Sequence, residues 1–195
     1  MGSVVSISEI LARIRFWRNA DRIGPDILLT HWRLYFKSTM RRLCVEKFKY
    51  FGEGAEFRPG AYAEACSKIA IGNHVVIRPG TFLFADPTEG GGSIVIEDMV
   101  LIGSAVHFYT NNHNFTDASK TIFEQGYPEP TISDSIILRR GCWIGAGVII
   151  MPGVEVGENA VIGAGTVVTR SVPKRAIFAG NPGKIIRIQD GAKEQ

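Results

Sequence analysis

Aliphatic residues return at every sixth position through most of the chain. Leu138, Ile144, Ile150, Val156, Ile162 and Val168 each open a hexad, and small or β-branched residues follow four places later at Cys142, Val148, Val154, Ala160, Thr166 and Val172. The same beat lies upstream in Ile71-Ile77-Leu83 and Ile96-Ile102-Phe108, and it begins as early as Phe51-Gly52-Glu53-Gly54-Ala55 and Phe57-Arg58-Pro59-Gly60-Ala61. A fixed short period marks a repeat architecture, in which each unit buries its apolar face only by stacking on the next. Six residues supply one short strand and one turn, so three hexads close a triangular coil, and stacked coils form parallel strands about 4.8 Å apart. The pattern therefore predicts an all-β solenoid, with the first residue of each hexad pointing inward. Gly72, Gly103, Gly145, Gly157 and Gly163 directly follow that inward residue, and residues of this kind tolerate the unusual φ of a corner.

The rhythm is interrupted three times. A two-residue slip near Cys66 to Ile69 resets the phase. Ala85 to Ser93 contains Asp86-Pro87 and Gly90-Gly91-Gly92, which is loop punctuation. The longest break runs from Asn111 to about Ser135, opens with Asn111-Asn112-His113 and includes Pro128 and Pro130. It is expected to project from the body as a polar loop.

Before residue 51 the period changes to that of helices. Ser6-Ile7-Ser8-Glu9 has capping-box spacing, followed by Ile10, Leu11, Ile14 and Trp17. A second helix is expected from about Asp26 to Lys49, with Leu28, Trp32, Tyr35, Phe36, Met40 and Leu43 along one face. It also carries Arg33, Lys37, Arg41, Arg42, Lys47 and Lys49 against the single acid Glu46. Such a helix can lie on an anionic membrane surface, or it can pack its aromatic face on the end of the repeat domain. The expected organisation is an N-terminal helical segment, 1–50, then a repeat domain, 51–175, with an extruded loop at 111–135. A tail, 176–195, ends the chain, with Ile185 to Ile188 as a short strand.

Composition narrows the function classes. A net charge of +3 over 195 residues gives no reason to expect a nucleic-acid partner. No apolar run approaches the roughly 18 residues of a membrane span, and residues 1–14 lack the apolar stretch of a secretory signal. Cys44, Cys66 and Cys142 have no metal-ligand spacing and read as reduced thiols of a cytoplasmic protein.

The segment Trp143-Ile144-Gly145-Ala146-Gly147 through Val161-Ile162-Gly163-Ala164-Gly165-Thr166-Val167-Val168-Thr169 resembles the left-handed β-helix, or hexapeptide-repeat, acyltransferases. The ending Phe178-Ala179-Gly180-Asn181-Pro182-Gly183-Lys184-Ile185-Ile186-Arg187 is similar to that family's. Within it, the galactoside and maltose O-acetyltransferases and the acetyltransferases of bacterial surface polysaccharides (O-antigen or capsule) look nearest. The resemblance implies a left-handed parallel β-helix, acetyl-CoA as cosubstrate and no metal. It implies a homotrimer with active sites between subunits, and a sugar, sugar-nucleotide or lipid-linked glycan as acceptor. His113 takes the place of the general base, and direct transfer is expected without an acyl-enzyme. Ala146 supplies an oxyanion donor from its amide, contributed by a neighbouring subunit. The coenzyme positions carried over are Trp143, Ala146, Ala164, Thr169, Arg170, Lys184 and Arg187. Arg78, Asp86, Asn111 and Asn112 fall on the acceptor side, where Arg78 would suit an anionic group. The implied location is the cytoplasm, with the inner membrane face open to the basic helix.

Other readings remain at this stage. N-acetylation of an amino-sugar nucleotide is the nearest rival. A β-helix scaffold without activity is a second. His74, His107 and His113 also resemble the metal ligands of γ-class carbonic anhydrases, although His107 and His113 are six apart where that class has five.

Overall fold

A computed structural model describes residues 5–190, and for Leu28 and Leu29 the backbone alone. The first four and last five residues of the expected N-terminal segment and tail lie outside the described residues, as does the side chain of Leu28. The hexads form three parallel sheets that wall a triangular prism. The first wall holds Tyr50–Phe51, Ile69–Ile71, Ile94–Ile96, Ile136–Leu138 and Glu155–Val156. The second holds Glu56–Phe57, Val76–Ile77, Leu101–Ile102, Trp143–Ile144 and Val161–Ile162. The third holds Tyr62–Glu64, Phe82–Phe84, His107–Tyr109, Ile149–Ile150 and Val167–Val168.

Strand register stacks equivalent residues into columns. Phe57, Ile77, Ile102, Ile144, Ile162 and Phe178 make one column, each paired with the next across parallel strands. All six are buried, as are the residues four places after hexad openings, from Ala55 and Val75 to Cys142 and Ala160. Burial of such a column is the main stabilising contribution of the prism, at about 25 cal/mol per Å² of apolar surface removed from water. Phenylalanines close both ends of the prism. Phe48 lies 5.9 Å from Phe51 and 5.4 Å from Phe57, centroid to centroid, at the start. Phe178 ends the column at the other end, on a strand (Ala176–Gly180) that pairs back with Gly183–Ile188. Rings at the ends keep water off the last aliphatics, as terminal units of a solenoid must.

The glycines divide into two classes. Gly54, Gly60, Gly80, Gly141, Gly147, Gly153 and Gly165 have positive φ and make the corners. The glycines that follow the inward aliphatics do not; for them the next coil leaves no space. A Cβ on Gly145 would stand 2.6 Å from the Ala164 nitrogen, and one on Gly103 2.6 Å from the Ala146 nitrogen. The expectation that these residues serve unusual φ is corrected accordingly: they serve close approach of backbones.

The capping box forms as the spacing predicts. Helix α1 (Ile7–Asn19) starts with the Ser6 hydroxyl accepting from the Glu9 amide while the Glu9 carboxylate accepts from Ser6. The second helix does not run unbroken. It divides into α2 (Leu28–His31), a 3-10 turn (Trp32–Tyr35) and α3 (Lys37–Lys47), with extended backbone at Phe36. The reason is geometric. Leu34 and Leu43 are both buried, but nine residues apart they would lie on opposite sides of a straight helix. Trp32, Tyr35 and Phe36, expected on the buried face, are exposed in the single protomer. Met40, Leu43 and Cys44 instead carry α3 onto the first coil, where Arg41 donates to the Gly52 carbonyl at 2.9 Å. No helix among the described residues is long and apolar enough to cross a membrane.

Candidate active site

All three interruptions leave from one corner, between the third wall and the first. From Ile150 to Val156 this corner keeps the regular six residues, whereas Ala63 to Ile71, Leu83 to Ile96 and Phe108 to Leu138 are longer. Segments 85–93 and 110–135 are stitched together at their roots. The Thr110 hydroxyl donates to the carbonyls of Phe84 and Gly92, at 3.2 and 3.3 Å, and the Ser93 amide donates to the Ser135 hydroxyl at 2.9 Å.

Between these two loops is a cavity of about 620 Å³ lined by Glu64, Phe84, Asp86, Tyr109, Asn111, Tyr127 and Glu129 among others. Asp86 is 3% exposed; its carboxylate accepts from the Thr88 amide at 2.8 Å and from the Asn111 side-chain amide at 3.2 Å. Buried carboxylates need such donors, and these fix the direction in which the remaining lone pairs point. Asp86 and Asn111, named separately from the sequence, thus meet in one cluster. Among the described residues, no Arg or Lys side chain lines this cavity. Two cations stand at its margin, both engaged: Lys68 donates to the Thr88 carbonyl, and Arg22 is held by Glu64 at 2.8 Å and Asp26 at 3.2 Å.

His113 is exposed on the outgoing limb of the long loop, and Asn112 beside it is exposed as well. The loop is internally braced. The Asn114 amide donates to the Gly126 carbonyl at 2.9 Å, and the Gln125 side chain donates to the carbonyls of Asp117 and Lys120. A one-turn helix, α4 (Ile122–Gln125), has its own capping box from Thr121 and Glu124. This bracing sets the Tyr127 ring on the His113 imidazole, centroids 4.2 Å apart and planes inclined by 30°.

A second depression runs along the second wall. It has a volume of about 510 Å³ and is lined by Leu101, Gly103, Ser104, Trp143, Gly145, Ala146, Gly163 and Ala164, with Arg58 and Arg78 at one end. Trp143 and Leu101 are 54% and 53% exposed, one above the other in neighbouring strands. The Ala146 and Ala164 amides donate no hydrogen bond among the described residues. Each lies where the preceding coil has a glycine in place of a side chain. The result is an apolar floor with unused donors along it, which suits an extended chain bearing amide carbonyls.

Trp143, Ala146 and Ala164 therefore line one groove, and Arg78 joins them rather than Asp86. Lys184 and Arg187 are exposed on the edge strand Gly183–Ile188 of the same sheet. Thr169 and Arg170 follow Val167–Val168 at the corner from which the loops leave, away from this groove. Groove and cavity share no lining residue. The three cysteines are buried, and burial raises each thiol, Cys142 to about 12. A thiol so held is a poor nucleophile. His74 occupies a corner with φ of 55°, and His107 stacks on Phe82 at 4.8 Å with its Nδ1 3.1 Å from the Tyr109 hydroxyl.

The bacterial transferase hexapeptide model, of six repeats, matches residues 135–170. Galactoside O-acetyltransferase of Escherichia coli is 32% identical over 145 residues, 74% of this chain and 66% of its own length. The chain belongs to the hexapeptide-repeat acetyltransferase family. A putative acetyltransferase of Saccharomyces cerevisiae is 37% identical over 130 residues, 66% of this chain and 60% of its own. The chain thus spans 60% and 66% of the lengths of these two curated relatives. Among solved structures, a hexapeptide-repeat acetyltransferase of Vibrio cholerae complexed with acetyl coenzyme A superposes with a TM-score of 0.71. It is 25% identical, over 95% of this chain and 92% of that one. A galactoside acetyltransferase in complex with coenzyme A gives 0.69 at 26% identity, over 91% and 78%. The prism is accordingly the left-handed β-helix of this family.

Several lining residues were not singled out in the sequence. Leu101 and Ser104 could have been, because they hold the same hexad places one coil earlier as Trp143 and Ala146. Glu64, Phe84 and Tyr109 could have been found by counting as well, since they hold one place in three successive coils, next to Ala63, Leu83 and Phe108; Tyr127 and Glu129 reach the cavity only through closure of the long loop.

Proposed function

We propose that the chain transfers an acetyl group from acetyl-CoA to a hydroxyl of a sugar. The observation that carries this reading is the glycine-lined groove with the unused Ala146 and Ala164 amides. It supports binding of the pantetheine arm along the second wall, with the thioester brought to the Ala146 amide. Likeness to the galactoside enzymes and to the acetyl-CoA complex supports the same donor. His113 then removes the acceptor hydroxyl proton as the oxygen attacks the thioester carbonyl. The tetrahedral oxyanion is met by the Ala146 amide. Collapse breaks the carbon–sulfur bond, and the imidazolium returns its proton to the departing coenzyme A thiolate.

The separation of groove and cavity on one protomer supports a homotrimer, with one subunit's groove facing its neighbour's His113. Arg78, in the groove, is assigned to the coenzyme as a cation for its anionic end, together with Lys184 and Arg187; Thr169 and Arg170 would approach it from the neighbour's corner. The Asp86 cavity, lined among the described residues by aromatic rings and by Glu64, Asp86 and Glu129 with Lys68 and Arg22 both engaged at its margin, supports an uncharged sugar rather than a uronate or a nucleotide. A sugar of a surface polysaccharide, bound before export, fits that chemistry, and three buried free cysteines support a reducing, cytoplasmic setting.

Beside residues 26–49, where Trp32, Tyr35 and Phe36 are exposed, α1 offers a second surface for membrane contact. Ile7, Ile10, Leu11 and Ile14 are exposed on one side of that helix, flanked by Arg13, Arg15 and Arg18. This arrangement suits an anionic lipid surface.

The test is release of free coenzyme A thiol from acetyl-CoA with a panel of neutral and anionic methyl glycosides. His113→Ala should lower turnover at least about 100-fold while acetyl-CoA still binds. Turnover unchanged by that substitution would remove the assignment.

A further inference from the structure

The Tyr127 side chain occupies two places at once. Its ring stacks on His113, centroids 4.2 Å apart, and the same residue lines the Asp86 cavity with Phe84, Tyr109 and Asn111. We infer that Tyr127 is the positioning residue of this enzyme: it fixes the plane of the His113 ring and carries the presence of an acceptor in the cavity to the base. The inference rests on His113 acting as the base.

Three features support it. The His113 imidazole makes no side-chain hydrogen bond among the described residues, so neither a carboxylate nor an amide from the same protomer orients it. An exposed ring without such a partner rotates freely about χ1 and χ2, and a base must hold its nitrogen within hydrogen-bond reach of the proton it takes. The Tyr127 ring supplies the missing restraint by contact over a face, the arrangement favoured when rings are offset and a few ångströms apart. The backbone behind it is fixed. Asn114, the residue after the base, is clipped to Gly126 and Gln125, the residues before the tyrosine. The base and its buttress therefore move as one unit.

The second role follows from the same position. A sugar entering between Phe84, Tyr109 and Tyr127 rests against the same side chain that holds the imidazole. Seating of the acceptor narrows the freedom of Tyr127, and through it that of His113. Removal of the ring should thus cost turnover more than donor affinity.

Kinetics and one spectrum together test this. Tyr127→Leu should lower kcat about tenfold to a hundredfold, the range for a misplaced catalytic group. It should raise KM for the methyl glycoside severalfold and leave KM for acetyl-CoA unchanged. Tyr127→Phe keeps the ring and should restore kcat to within about threefold. Independently of activity, in protein labelled with histidine carrying 13C at Cε1 alone, the four histidines give four ring signals. The one lost in His113→Ala should shift upfield from ring current in the wild type and in Tyr127→Phe, but not in Tyr127→Leu. An unshifted signal in the wild type overturns the stacking. Full kcat in Tyr127→Leu alongside an inactive His113→Ala overturns the positioning role and leaves the base in place. Full activity in His113→Ala removes the base itself.

Discussion

Gly145→Ala adds a single methyl group to the part of the prism where coils approach most closely. On the present backbone that carbon would lie 2.6 Å from the Ala164 nitrogen, 2.8 Å from the Ile162 oxygen and 2.9 Å from the Ala164 Cα. Ordinary contact begins at 3.4 Å, so the coil above must retreat by about 0.8 Å. Every neighbour is backbone, and none can turn aside by changing a rotamer. Two strands held about 4.8 Å apart by their hydrogen bonds absorb this only by lengthening those bonds, beginning with the Gly145 amide to Ile162 oxygen bond at 2.8 Å. Overpacking of this kind costs about 1–3 kcal/mol. For a chain of this length, 2 kcal/mol corresponds to a fall in Tm of about 4–8 °C. Gly165→Ala is the comparison, because nothing lies within 4 Å of its Cβ and its cost comes from its φ of +69°. Gly165→Asn, tolerant of left-handed backbone, should regain much of that loss, whereas Gly145→Asn should be worse than Gly145→Ala. Differential scanning fluorimetry reads the stability, and acetyl-CoA titration should show weakened donor binding in Gly145→Ala, since the methyl covers the Ala164 amide. A Tm within 1 °C of wild type together with unchanged donor affinity would refute both the steric and the binding argument.

Two further outcomes are expected. Arg139 donates to Glu97 and Glu155, each at 2.8 Å, and its hydrogen bonds hold the Glu155 carboxyl below its ordinary value of 4.5. A depressed carboxyl stabilises the fold fully above its unfolded pKa and loses that contribution as pH falls through the folded value. The wild-type Tm should therefore decline below about pH 4.5, and Arg139→Met should flatten the decline; parallel curves would contradict the linkage. Vesicles containing phosphatidylglycerol should retain the protein at low salt and release it when Leu11 and Ile14 are both changed to Glu. Equal retention of both proteins would exclude α1 as the contact.

The sequence made the columns of the prism legible because burial demands the same kind of residue at the same place in each coil. Ile102, Ile144 and Ile162 announce one another. Corners were less well read. Glycine after the inward aliphatic and glycine at positive φ look alike in a string of letters, and only the distance to the next coil separates Gly145 from Gly147. The break between α2 and α3 was hidden for a related reason. Periodicity reports which residues could share a face, but the prism end decides that Leu34 and Leu43 are both needed inside. The antiparallel strand Arg22–Ile23 against Ala63–Glu64 gave no signal, being two residues long. The candidate site divides in the same way. Trp143, Ala146 and Ala164 lie on repeating positions and could be found by counting. Asp86 and Asn111 could be named, but their mutual hydrogen bond could not. Tyr127 lies fourteen residues from His113 with no repeat between them, and nothing short of the folded loop joins the two.

The stitches at the foot of the two long loops bear on how such an enzyme changes what it modifies. Thr110 holds Gly92, and Ser135 holds Ser93, so the short loop is bound at its end to both ends of the long one. A graft of the long loop alone would leave these partners mismatched and the cavity floor open. Exchanged as a pair, 85–93 with 110–135, the loops would bring Asp86, Asn111, Tyr127 and the proposed base, while Glu64, Phe84 and Tyr109 stay with a coil stack that need not alter a single inward residue. On the proposed function, acceptor choice would then travel largely as a cartridge of two segments, and a laboratory chimaera should be cut at Ala85, Ser93, Thr110 and Ser135.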